Sequence, residues 1–158
     1  MATGAHTVAN RFLELAREKG MSLTPLQLMK LVYIAHGWML GLQRRPLITN
    51  KIEAWKFGPV IPDLYREVRN YGAAPITAPI RPWHAENQPI DPIEDDMIRQ
   101  TFNVYGHLDG LNLSALTHQI GTPWANTWRA DSWAAEIPNH LIEDHYRQLA
   151  HVRSSARS

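Results

Sequence analysis

The sequence predicts a mainly α fold: a compact bundle of about five to six helices around a central apolar helix, with a short β-ribbon near residues 52–57 and 76–80. Three observations predict it. From Leu26 to Leu42 apolar residues occupy nearly every position, interrupted by Gln27, Lys30 and His36, the pattern of a buried helix. Thr24-Pro25 marks where it starts, a capping hydroxyl followed by a proline whose missing N–H costs nothing in a first turn. Between Ala73 and Pro92 stand five prolines, a density that forbids helix and tolerates at most an edge strand, so that stretch reads as an extended loop.

The remaining elements follow in order. The first helix is expected from Thr7 to Lys19, with Thr7 as N-cap, Val8, Phe12, Leu15 and Ala16 on one face, and Gly20 at the C-cap. The central helix carries Leu28, Leu31, Val32, Ala35, Trp38, Met39 and Leu42, widened by Tyr33 and Ile34. Lys51 to Phe57 alternates Ile52 and Ala54 with Glu53, Trp55 and Phe57, which reads as a strand, with Gly58-Pro59 as a turn and Ile76–Ile80 as its expected partner. Pro62 opens a third helix with Asp63 in its first turn and Leu64, Tyr65 and Val68 on its buried side, ended by Tyr71-Gly72. A fourth runs from Pro92 to Gly106, its acidic first turn (Glu94, Asp95, Asp96) suiting the helix dipole and Ile93, Met97, Phe102 and Val104 facing inward. A short fifth helix follows Asn112 or Ser114, with Leu113, Leu116 and Ile120, until Gly121-Thr122-Pro123 breaks it. The last spans Asn139 to Val152 with Leu141, Ile142, Tyr146 and Leu149 inward. Residues 7–152 read as one domain and residues 153–158 as a flexible tail.

Composition narrows the function. At 158 residues, one core is the default. Sixteen basic and fifteen acidic residues leave a net charge of +1, so no whole-molecule field draws the chain onto nucleic acid, which is not an expected partner. The absence of cysteine excludes disulfides, thiolate zinc sites and a cysteine nucleophile, and fits the cytoplasm. Met1 to His6 lacks a basic region followed by an apolar stretch, and no apolar run approaches the ~20 residues that span a bilayer, so no membrane is expected.

Catalytic motifs are missing. The eight histidines include no pair at H-x-x-x-H spacing, and no nucleophile elbow, phosphate-binding loop or dinucleotide fingerprint occurs. Neither catalysis nor a metal or other cofactor is expected, and Glu94, Asp95 and Asp96 read as dipole partners before metal ligands. Lys30 and His36 lie among apolar residues, where a lysine is costly unless paired. Glu53 is its candidate partner; direct contact of Lys30 with a ligand is the other reading. His118 reads as a site residue or as one that orients a loop. Tryptophan is a core filler and an interface anchor. Of the six present, Trp38 and Trp55 read as core and Trp128 and Trp133 as a partner-binding surface, with Trp124 beside them.

The segment from Leu23 to Trp38, LTPLQLMKLVYIAHGW, resembles the opening motif of the Panacea domain, the antitoxin family that includes SocA-like and GepA-like phage-associated proteins. Glu53 to Val60 (EAWKFGPV) with Tyr65 resembles its second signature, and Thr117-His118 followed by Pro123-Trp124 its third, all in the family's order. The resemblance implies a helical antitoxin domain, usually encoded beside a toxin and neutralising it by direct protein contact. SocA-like members also act as adaptors that deliver the bound toxin to the ClpXP protease, a second mechanism. Lys30, Tyr33, His36, Glu53 and His118 carry over as family signature, without a role, and are the candidates for a shared pocket; Trp124, Trp128 and Trp133 stand as partner-binding candidates. The rival readings are an enzyme in which Lys30, Glu53, His36 and His118 converge, and a DNA-binding regulator with salt-dependent affinity.

Overall fold

A computed structural model of the chain describes residues 3–80, 88–131 and 134–157. Within these residues seven α-helices, α1 (Ala5–Glu18), α2 (Pro25–Gln43), α3 (Pro62–Val68), α4 (Pro92–Tyr105), α5 (Gly110–Thr117), α6 (Pro123–Thr127) and α7 (Asn139–Arg157), accompany three short strands, β1 (Glu53–Trp55), β2 (Gly58–Val60) and β3 (Ala135–Glu136). The mainly helical class with a short ribbon is the architecture observed.

α2 is the axis, contacted by α1, α3, α4, α5 and α7. Its start is as expected: Thr24 accepts from Gln27 N, and the Gln27 side chain accepts from Thr24 N, a capping box with proline in the first turn. Fourteen of its nineteen residues are buried, Lys30 and His36 among them. α1 ends in a Schellman arrangement, Gly20 N donating to Arg17 O and Met21 N to Ala16 O, with Gly20 at φ +68°. Its start differs from expectation. The helix begins at Ala5, and the cap comes from far along the chain: Asn50 Oδ1 accepts from Ala5 N at 2.7 Å. Thr7, inside the first turn, is buried and accepts from Gln88 N.

The sheet order is β2-β1-β3, both pairs antiparallel, with Ala54 opposite Pro59 on one side and Ala135 on the other. The ribbon partner expected at residues 76–80 is therefore replaced by β2 and β3. The segment lies instead across α1, where Asn10 Nδ2 donates to Ile80 O at 2.8 Å and Oδ1 accepts from Ile80 N at 2.7 Å. Pro75 and Pro79 remove the donors that a ladder would need, while one asparagine amide satisfies both backbone groups of Ile80.

Other corrections concern phase and length. In α4 the buried set is Glu94, Met97, Ile98, Thr101 and Phe102, whereas Ile93 and Val104 are half exposed, because the Asp91 capping box turns Glu94 inward. Tyr65 in α3 is exposed rather than buried. Trp55, read as core, is half-buried at the end of the central strand. α5 begins earlier than expected, at Gly110, capped by Asp109. α7 continues past Val152 to Arg157, so the residues read as a tail are largely helical; Arg153 holds that turn by donating to Tyr105 Oη and lying over the Trp38 ring. No described helix is long and apolar enough to cross a membrane.

Candidate functional site

The polar residues of α2 face different neighbours. Lys30 and His36 are six positions apart, about 120° around the helix. Lys30 is 1% exposed and its Nζ donates to Pro59 O at 2.9 Å. A Cβ on Gly58 would stand 2.7 Å from Nζ and 3.7 Å from Thr117 Oγ1, so glycine at φ +126° admits the ammonium between the hairpin and α5. Burial lowers the Lys30 pKa from 10.5 to about 7. Glu53, expected to neutralise it, points elsewhere: it accepts from Trp55 Nε1 at 2.9 Å and faces Lys51 at 3.7 Å. Strand alternation explains the miss, since Ala54, not Glu53, is on the buried side of β1.

His36 is wholly buried and ties three segments together. Its Nδ1 accepts from Leu47 N at 3.2 Å and Ile48 N at 3.3 Å, which fixes the proton on Nε2, donated to Asn139 Oδ1 at 3.0 Å. Burial pulls its pKa down to about 4. Tyr33 is buried, its hydroxyl without a hydrogen-bond partner among the described residues, and burial raises its pKa. His118 caps α5, its Nδ1 against Ser114 O, an arrangement that makes Nδ1 a donor and leaves it unable to act as base toward the Ser114 hydroxyl, which donates to Phe57 O. Among the described residues no hydrogen bond or ion pair joins Lys30, Glu53, His36 and His118 to one another. Nor do three or more His, Asp or Glu side chains gather where a metal ion could sit. The acidic turn of α4 is engaged in pairing: Asp95 with Arg11 at 2.6 Å and Arg99 at 2.7 Å, Asp91 with Arg45 at 3.0 Å.

The signature aromatics do converge. Trp124 Nε1 donates to Trp55 O at 2.5 Å, the Trp124 ring stacks on Trp128 at 5.4 Å and 17°, and His118 meets Trp124 edge-on at 5.4 Å. Trp55 in turn meets Tyr65 edge-on at 5.1 Å. These rings form a strip of two sets, His118 with Trp124 and Trp128, and Trp55 with Tyr65, linked by the Trp124-to-Trp55 hydrogen bond, with Tyr65 exposed and Phe57 at the hairpin tip 73% exposed. Trp133 lies outside the described residues.

Two features of this region escaped the sequence reading. Thr122-Pro123, read as a break, starts α6: Thr122 Oγ1 accepts from Ala125 N, the same signal as Thr24-Pro25. The groove between the α5–α6 turn and α7 has no sequence signal, because its two walls are distant in the chain.

A family model described as "Antitoxin SocA-like, Panacea domain" matches residues 28–125, the span holding Lys30, the hairpin, Thr117-His118 and Trp124. Antitoxin SocA of Caulobacter vibrioides (strain NA1000 / CB15N) is 33% identical to this chain over 136 residues, covering 76% of this chain and 68% of the relative. No solved structure matches.

Proposed function

We propose that this chain, which belongs to the SocA-like, Panacea-domain antitoxin family, neutralises a toxin protein by holding it in a direct complex. The observation that carries the reading is the family match together with what its signature residues do here. Lys30, Tyr33 and His36 are sealed inside, and His36 spends both ring nitrogens on the scaffold. The polar groups of Lys30 and His36 are taken up by the scaffold, which leaves the outer surface for recognition. On that surface Trp124 and Trp128 offer stacked rings and Phe57 an exposed one, aromatic residues of the kind that anchor protein interfaces.

The toxin is proposed to be encoded beside this chain. Expressing the neighbouring gene alone and together with this chain tests the reading. Growth arrest relieved by co-expression, with the two proteins co-purifying, is the expected result; a harmless neighbour that does not co-purify would overturn it. Delivery of the toxin to ClpXP, the second mechanism that the Panacea resemblance implies, predicts a toxin half-life shortened by this chain only in cells that have ClpX. An unchanged half-life leaves sequestration as the mechanism.

A further inference from the structure

A groove open to a partner lies beside α7, away from the rings of Trp55 and Tyr65. Leu116, at the end of α5, and Ile120, in the turn after it, face Leu149 and Val152 of α7 across a groove of about 440 Å³. Ile120 is fully exposed and Val152 63% exposed, so this groove is apolar yet uncovered. It runs along α7 from His145 to Arg153, about 12 Å or just over two helical turns, the length over which a helix presents anchors at i, i+4 and i+7. A second groove of about 320 Å³, with Trp38, Met97 and Val104 in its walls, lies on the far side of Tyr105 and Arg153, which line both.

Charge decides what fits. Among the described residues no carboxylate lines either groove, and the permanently charged side chain in both is Arg153. Its guanidinium donates to the Tyr105 hydroxyl at 3.2 Å and lies 4.8 Å above the Trp38 ring, and among the described residues no Asp or Glu pairs with it. It is a cation held against a ring and a phenol, at the ridge between the two grooves. An incoming carboxylate would find a planar fork held ready for it, whereas a basic segment would be repelled.

We infer that the groove between the α5–α6 turn and α7 docks an amphipathic helix of the toxin, its apolar face on Leu116, Ile120, Leu149 and Val152 and an acidic residue on Arg153. The inference rests on the antitoxin reading above.

Two experiments decide it. In the first, the isotope-labelled chain is titrated with a synthetic helical peptide bearing leucine at i, i+4 and i+7 on a glutamate background, and with the same peptide carrying lysine for glutamate. The expected result is movement of the Ile120 and Val152 methyl resonances and of Arg153 Nε with the acidic peptide alone, and its loss in Ile120→Asp. Equal shifts from both peptides, or none at these groups, would overturn the inference. In the second, the toxin identified by growth rescue is bound to the wild-type chain, to Ile120→Asp, to Arg153→Gln and to Leu111→Asp, an exposed site on the opposite end of α5. The groove variants are expected to weaken binding about tenfold or more and Leu111→Asp to leave it unchanged. A toxin that binds every variant equally removes the groove and leaves the antitoxin reading standing. A toxin that does not bind the wild-type chain removes that reading, and the peptide shifts then report on the groove alone. A dimer that Ile120→Asp converts to monomer would make the occupant a second copy of this chain, and the inference would fall.

Discussion

The ring of Tyr146 occupies the space where Gly37 lacks a side chain: a Cβ on Gly37 would lie 2.2 Å from Tyr146 Cε2, and one on Gly41, a turn further along α2, 2.8 Å from Tyr146 Cβ. The two glycines share a face of α2 and let α7 approach the axis closely. Gly37→Ala gains helix propensity of ~1 kcal/mol but forces the buried ring to move, and overpacking of this kind costs about 1–3 kcal/mol. Net destabilisation is expected, read as a lower urea midpoint. A raised midpoint would show that α7 adjusts freely.

Lys30 sets a pH dependence. Its pKa is about 7 in the fold, against 10.5 as its ordinary value. Between these limits the unfolded chain holds the proton that the folded chain has lost, so stability rises with pH through this window, by up to about 1.4 kcal/mol per unit for one proton. Below pH 7 the full penalty of burying the charge applies. Lys30→Met should therefore be less pH-dependent than wild type between about pH 7 and 10, as measured by denaturation at a series of pH values. Parallel curves would mean that Lys30 is charged and compensated throughout.

His36 acts in the acid range. Its pKa of about 4 lies below the ordinary 6.5, so as pH falls from 6.5 to 4 the unfolded chain takes up a proton that the fold refuses, and stability is lost in that window. Histidine resonances followed by NMR should show His36 as a neutral imidazole with its proton on Nε2 down to about pH 5. Replacing it with phenylalanine strands Leu47 N, Ile48 N and Asn139, at a cost of about 1–3 kcal/mol for each buried group left unpaired.

The Trp124 indole hydrogen bond fastens α6 to the hairpin. Trp124→Phe keeps a ring against Trp128 and His118 but removes the donor to Trp55 O, a loss of about 1 kcal/mol. Thr122→Ala removes the α6 cap for ~1 kcal/mol. Thermal denaturation of the single and double variants should give losses that fall short of additive, because both loosen the same short helix. Full additivity would place the cap and the indole in independent units.

Local signals carried the helices whose ends are chemical. Thr24-Pro25 and Gly20 each work through groups three or four residues apart, and each stands where the spacing places it; the Asp91-to-Glu94 capping box works the same way, yet only the acidic turn around it was read. The Panacea signatures were equally legible as a string, and their order survives as the hairpin, the end of α5 and the start of α6. Their roles were not legible. Glu53 was read as the Lys30 partner because a buried lysine needs a compensating group, while pleat alternation directs Glu53 toward Trp55 and gives Lys30 a backbone carbonyl.

By itself, then, the sequence determined the helical class, the buried axis with its cap, and membership of the antitoxin family, since propensity, capping and motif order depend on near neighbours along the chain. The tertiary structure alone decided that β3 and not residues 76–80 completes the sheet, that Asn50 caps α1, that Gly37 receives Tyr146, and that Arg153 stands uncompensated by any described carboxylate between two grooves. Each joins residues far apart in the chain, and such a contact forms only when the packing of several elements at once repays the entropy of closing the loops between them.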